Sequence, residues 1–261
     1  DAPVNAGANA TVDPICPDDA TTIDLDAALV GADAGGVWTE TSNPLSTGGA
    51  FQPAAGTFNA LGQNSGTYTF VYTVDGGACP DASSTVSFTI NETPTADAGL
   101  DQTLTCNMGA VVLGGNSSTG VSYNWTSDNP DAMIMDPTAE LIDVSAPGIY
   151  TLEVTNAAGC TAVDQVEVLS DFDVPVADVS ISEVSCFQSA DGAIVINNVA
   201  GGTPPYAYSL NNGTPTTNPF FGNLSGAEYT LTITDINGCF TELSIMLLEP
   251  TEVAVELVTS L

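Results

Sequence analysis

Three stretches of this chain are near copies of one another: "GTYTFVYTVDGGAC" from Gly66, "GIYTLEVTNAAGC" from Gly148 and "AEYTLTITDINGC" from Ala227. Their tyrosines, Tyr68, Tyr150 and Tyr229, recur 82 and 79 residues apart. A period near 80 residues is the length of a small β-sandwich. Within each copy the apolar residues alternate: Tyr68, Phe70, Tyr72, Val74; Tyr150, Leu152, Val154; Tyr229, Leu231, Ile233. That period of two marks a strand with one buried face. A turn follows, then a second alternating run: Val86, Phe88, Ile90; Val166, Val168; Leu243, Ile245, Leu247. Each cassette therefore reads as a β-hairpin, the last of its module. The small residue two before each tyrosine (Gly66, Gly148, Ala227) suggests a tyrosine corner, with the hydroxyl bonded to nearby backbone.

The expected fold is all-β: three tandem immunoglobulin-like sandwiches, each with one disulfide, in an extended rod. The expected modules are 1–93, 94–171 and 172–250. Strands of about 8 residues at about 3.3 Å each would make a rod of roughly 100 Å. Residues 251–261, where Val253, Val255 and Leu257 alternate, read as the opening strand of a further module, a tail, or a strand donated to another subunit. The chain opens "DAPVNAG", in the manner of a processed or excised segment. Trp38 and Trp125 are expected to fill the cores of the first two modules, with Leu210 in the corresponding place of the third. A sugar-stacking platform is the functional alternative for these aromatics. The run Met133-Ile134-Met135 reads as a clip holding its loop onto the core.

Six cysteines fall two to a module, and there is no histidine. An even count at regular spacing argues for disulfides over a metal cluster. The pairing expected within modules is Cys16 with Cys79, Cys106 with Cys160 and Cys186 with Cys239. Such bonds would close loops of more than fifty residues and stabilise each module by about 3–4 kcal/mol. They imply assembly in an oxidising compartment.

The chain contains no Lys or Arg against 32 Asp and Glu, where average usage would give about 30 cations. Side-chain salt bridges are thereby excluded. A formal charge of −32 repels phosphate backbones and anionic lipid, so nucleic acid and membrane surfaces are poor partners. Triads and Schiff-base enzymes need a base the chain lacks, and a phosphate loop would lack its lysine. The chain reads as no enzyme, with paired carboxylates of the glycosidase kind the one remaining possibility. Calcium needs only oxygen ligands, so the acidic joints are candidate sites: Glu92, Asp97 and Asp101, then Asp171, Asp173 and Asp178. The loop with Asp128, Asp131 and Asp136 is a further candidate. The missing cations also remove every cleavage site of trypsin-like proteases. Alternatively, uniform charge keeps neighbouring fibres apart until divalent cations arrive.

The segment "ADAGLDQTLTC…YNWTSDNP…SAPGIYTLEVTNAAGC" resembles the PKD-like modules of very large surface proteins of gliding and biofilm-forming Gram-negative bacteria. "VSCFQSADGAIVINNVAGGTPPYAYSLNNG…NLSGAEYTLTITDINGCF…LLEP" is similar to the SprB-type repeat, departing from it at Leu210 and Asn211. The resemblance covers nearly all of residues 95 to 250 and more loosely residues 1 to 94. It implies export by the type IX secretion route and a stalk or adhesin role, and it carries no catalytic residues. The expected function is a structural segment of an extracellular adhesin or surface filament. Its partners would be neighbouring modules, and surface glycans or other cells. The competing classes are a carbohydrate-binding array and a self-assembling fibre subunit.

Overall fold

The computed structural model describes residues 3–17, 19, 21–115 and 118–253. Most of 251–261, including Val255 and Leu257, lies outside the described residues. Three separate hydrophobic cores follow one another along the chain. The first is built from residues between Ala6 and Ile90, the second between Ala98 and Val168, and the third between Ile194 and Leu247. Each core takes its residues from one cassette and the strands upstream of it, which is why the 80-residue period appears as modules.

The first module contains β1 (Ala10–Thr11), β2 (Thr22–Asp24), α1 (Leu25–Ala28), β3 (Val37–Glu40), β4 (Phe51–Gln52), β5 (Thr57–Asn59), β6 (Gly66–Val74) and β7 (Ala82–Ile90). One sheet has the order β1-β7-β6-β3, the other β2-β5-β4. The cassette forms the β6–β7 hairpin, in register from Gly66↔Ile90 to Val74↔Ala82. Tyr68, Phe70, Tyr72 and Val74 are buried, as their alternation requires. Phe58 on the opposite sheet meets Tyr68, Phe70 and Phe88 at ring-centroid distances of 5.1, 5.3 and 5.1 Å, tying the two layers together. The helix α1 is a single turn capped by the Asp24 carboxylate on the Ala27 amide.

The second module contains β8 (Gln102–Thr105), β9 (Val111–Leu113), β10 (Ser122–Ser127), β11 (Ile142–Val144), β12 (Gly148–Thr155) and β13 (Thr161–Asp171). Its sheets are β10-β12-β13-β8 and β11-β9. The third contains β14 (Val176–Ser182), β15 (Gly192–Ala200), β16 (Ala207–Leu210), β17 (Phe220–Leu224), β18 (Glu228–Thr234) and β19 (Phe240–Met246), in sheets β14-β15-β17 and β16-β18-β19. The modules differ in their first strand. In the first two modules it runs parallel to the last strand, through β1 on β7 and β8 on β13. In the third, β14 pairs antiparallel with β15 instead, and the chain returns to the last-strand side at Val184, whose amide donates to the Leu248 carbonyl.

All three tyrosine corners form. Each hydroxyl donates to the carbonyl four residues upstream: Tyr68 to Asn64, Tyr150 to Ala146 and Tyr229 to Ser225, at 3.0, 2.7 and 3.0 Å. The tryptophans are core residues, 4% and 2% exposed, and so offer no sugar platform. Their indole N–H groups are satisfied by Asp26 Oδ1 (Trp38) and the Ala139 carbonyl (Trp125). They are not equivalent, however. Trp125 stands opposite Leu152, two residues after its corner tyrosine, whereas Trp38 stands opposite Tyr72, four residues after. Leu210, opposite Leu231, matches Trp125, and Tyr208, opposite Ile233, matches Trp38. The loop clip is made by Ile134 alone. Met133 and Met135 point outward, 83% and 95% exposed.

The expected within-module disulfides are not formed. Among the described residues the bonds are Cys16–Cys160 and Cys106–Cys239, and Cys79 and Cys186 are free. Strand direction explains the correction. Because β8 runs parallel to β13 with Thr105 beside Asp171, Cys106 lies at the far end of β13, while Cys160 immediately precedes its start. Eleven residues of strand put roughly 35 Å between them. A disulfide needs Cα atoms within about 7 Å. The two cysteines of the second module sit at opposite ends, so Cys106 meets Cys239 of the module after it and Cys160 meets Cys16 of the module before it.

Candidate functional site at the module joints

Each cassette ends in a hairpin turn, and those of the second and third modules meet the module before them. The turn at Asn156–Cys160 is closed by the Asn156 amide on the Cys160 carbonyl, and the Asn156 carboxamide oxygen accepts from the amides of Ala158 and Cys160. Asp235 repeats this arrangement in the third module. Its amide donates to the Cys239 carbonyl, and its carboxylate accepts from the Cys239 amide at 2.8 Å. A short polar side chain holding its own turn in this way presents the cysteine outward and rigidly.

At the first joint that cysteine, Cys160, bonds Cys16 with Cα atoms 5.5 Å apart. Cys16 follows Ile15, which bridges in parallel to Ile90 at the end of the first module's last strand. The Asn156 side-chain amide donates to the Glu92 carbonyl in the connecting segment at 2.6 Å. A covalent bond and a hydrogen bond thus fix one hairpin turn to the end of the module before it.

The second joint is more heavily clasped. Cys106 bonds Cys239 with Cα atoms 5.0 Å apart, and the Asn107 amide donates to the Asn237 carbonyl. Asp171, the last residue of β13, accepts two hydrogen bonds from the third module on one carboxylate oxygen. They come from the Thr203 hydroxyl at 2.7 Å and the Asn237 side-chain amide at 2.6 Å. Asp235, buried at 6%, accepts from the Thr203 amide and so braces the turn from behind. Gly238 is required by this approach. Its φ is +77°, and a Cβ there would lie 2.0 Å from the Asn107 side chain. The motifs "GGTPPY" and "TDINGC" therefore build the end of the third module that faces the second.

The six acidic residues expected to bind calcium are dispersed among other tasks. Asp171 is the joint acceptor just described. The Asp101 carboxylate accepts from the Glu167 amide, and Asp97 from the Gly99 amide. Glu92 contributes its backbone carbonyl, while Asp173 and Asp178 are exposed. In the other candidate loop, Asp128 accepts from the Ile149 amide, Asp131 is exposed, and Asp136 is held below the usual carboxylate range by the Thr138 hydroxyl and amide. Among the described residues no group of three or more Asp, Glu, Cys or His is placed to hold a metal ion. Hydrogen bonds and a disulfide link the modules at the second joint.

Sequence reasoning identified the joints as sites but missed Thr203, Asn237 and Asn107 as joint residues. Their signal was the "GGTPPY" and "TDINGC" turns, which read only as turns until their partners across the joint were known. Among the described residues no helix is long and apolar enough to cross a membrane.

Residues 179–215 match the family described as the SprB repeat. That segment runs from β14 through "GGTPPY" and β16, and so includes one of the two joint-building turns. No curated protein matches the chain. Among solved structures it is similar to the I-band fragment I67–I69 from titin, at 15% identity over 96% of this chain and 100% of that one, with a TM-score of 0.41. It is also similar to the PKD domain from the KIAA 1837 protein, at 23% identity over 31% of this chain and 90% of that one, TM-score 0.26. A third is the eight-immunoglobulin-domain fragment of Down Syndrome Cell Adhesion Molecule, at 12% identity over 93% of this chain and 41% of that one, TM-score 0.39.

Proposed function

We propose that the chain is a load-bearing stalk segment of an extracellular bacterial adhesin or surface filament, with modules at 1–93, 94–171 and 172–250. The observation that carries this reading is that both disulfides cross a joint between modules. A bond within a domain protects that domain's fold. A bond across a joint fixes how successive domains are aligned and carries tension between them. Cysteines kept for this purpose need an oxidising compartment, in keeping with a secreted, surface-exposed position and with export by the type IX route that the SprB resemblance implies. Output of this kind is mechanical, and the chain has neither the histidine of a triad nor the lysine of a Schiff-base enzyme. Repetition of such segments would hold a binding element away from the cell and multiply weak contacts.

Pulling a single copy by its two ends tests the reading. The two disulfide loops overlap, 16 to 160 with 106 to 239. When the oxidised chain is unfolded, tension crosses from Cys16 to Cys160, runs back along the backbone to Cys106, and crosses to Cys239. About 90 residues then lie in line, a reach of roughly 320 Å at about 3.6 Å per residue, against roughly 940 Å for the reduced chain. Equal contour lengths with and without reductant would overturn a load-bearing role for the joints.

A further inference from the structure

We infer that Cys79 and Cys186 are the two open ends of a staggered disulfide ladder. Cys186 receives the hairpin cysteine of a like module docked on the end of the third module, and Cys79 receives the end cysteine of a like module before the first. In the 261-residue chain the matching cysteine comes from a second copy, so that Cys186 of one copy bonds Cys79 of the next, head to tail.

The rule is written twice in the structure already. Cys16 and Cys106, at the far ends of the first and second modules, bond the hairpin cysteines Cys160 and Cys239 of the modules that follow. Cys186 occupies the position of Cys16. The Cys16 carbonyl accepts from the Asp19 amide three residues on, and the Cys186 carbonyl accepts from the Ser189 amide three residues on. Cys16 follows Ile15, which lies beside Ile90 at the end of β7, and Cys186 comes two residues after Val184, whose amide donates to the Leu248 carbonyl just past β19. The Cys186 turn is braced by Ser185 on Asp191 and by the Gln188 amide on the Glu249 carboxylate, so the thiol is held in a defined place at the end of the module. It is exposed, as an end without a partner must be. Cys79 lies in the β6–β7 turn, the counterpart of the turns carrying Cys160 and Cys239, with its amide on the Gly76 carbonyl. This turn is two residues longer than its counterparts, with the strands closing at Val74↔Ala82 rather than flanking five residues. The two free cysteines are therefore complementary in kind, one of each member of the ladder pair, and they sit in the first and third modules.

Bond formation needs an electron acceptor, and a low-molecular-weight or enzyme-borne disulfide supplies it. The Cys186 thiolate attacks the acceptor disulfide, expelling one thiol and leaving a mixed disulfide. The Cys79 thiolate of the next copy attacks the Cys186 sulfur and expels the second thiol. Two protein thiols are oxidised to one disulfide and one small disulfide is reduced to two thiols. This inference rests on the tandem stalk reading. It is tested separately from it, because the pulling experiment concerns only the two bonds inside one copy.

The test uses two full-length variants that leave both internal disulfides intact: Cys79→Ser, whose only free thiol is Cys186, and Cys186→Ser, whose only free thiol is Cys79. Each is incubated with oxidised glutathione, alone and mixed, one of them isotopically labelled, and run on non-reducing gels with peptide mapping by a Glu-specific protease. The ladder requires the mixture to give a Cys186–Cys79 linked dimer in about tenfold excess over either homodimer, the ratio expected from about 1.4 kcal/mol of directional docking. It also requires the unsubstituted chain to give a series of head-to-tail multimers. Homodimers as abundant as the mixed dimer, a Cys79–Cys186 bond within one copy, or no linkage would each overturn it.

Discussion

Cys106 and Cys160 belong to one module and stand at its opposite ends, one just past β8 and the other just before β13. The parallel pairing of Thr105 with Asp171 places them there. From that single register follow the crossing of both disulfides between modules and the overlap of their loops, which leaves residues 106 to 160 of the second module inside both.

Removing one crossing bond should loosen a joint while leaving its neighbours folded. The loop from Cys16 to Cys160 spans 144 residues, and its closure restricts the unfolded chain by about 5 kcal/mol in the entropy model. The double variant Cys16→Ser with Cys160→Ser should lower the denaturation midpoint. It should also speed amide exchange at Asn156 to Cys160, with the third module's exchange unchanged.

Asp171 is the polar keystone of the second joint. Asp171→Ala strips the partners from the Thr203 hydroxyl and the Asn237 amide and should cost about 1–3 kcal/mol, read by chemical denaturation of the reduced chain. A double-mutant cycle with Asn237→Ala should give a coupling of at least about 0.5 kcal/mol. Asp173→Ala, two residues along on the exposed connection, should change stability by no more than about 0.5 kcal/mol.

The tyrosine corners give an alkaline limit. Burial, reinforced by Glu40, raises the Tyr68 hydroxyl above its ordinary value near 10.0. Burial also raises Tyr150, with the Ser127 hydrogen bond opposing and Asp128 adding to the rise. A raised phenol binds its proton more tightly folded than unfolded. The stabilisation is therefore whole below the ordinary value and is lost as pH climbs through the folded one. Denaturation midpoints should fall steeply above pH 10. Tyr150→Phe should shallow that fall while costing about 1 kcal/mol at neutral pH through the lost bond to the Ala146 carbonyl.

With 32 carboxylates and no side-chain cation, every side-chain charge pair in the chain is repulsive at neutral pH. Raising sodium chloride from 10 mM, where the screening length is about 30 Å, to 1 M, where it is about 3 Å, should raise the melting temperature steadily. A melting temperature unaffected or lowered by salt would contradict this. Calcium chloride matched for ionic strength should act as a screening salt, without a saturable step at the joints, in line with the dispersal of the acidic residues there.

The sequence by itself determined the modules. An alternating strand whose apolar side is Tyr150, Leu152 and Val154 can bury only one face, and a tyrosine two residues after a glycine can reach its own backbone, so hairpin and corner are local and legible. Cores, repeat period and buried tryptophans followed from the same local pattern. Tertiary structure decided which cysteine meets which, because spacing along a chain says nothing of the direction in which the first strand runs against the last. It also decided that Asp171 would grip Thr203 and Asn237 across a joint. A carboxylate's partner depends on which donors a neighbouring module brings within 3 Å, and that is set by the stacking of whole domains rather than by any stretch of residues.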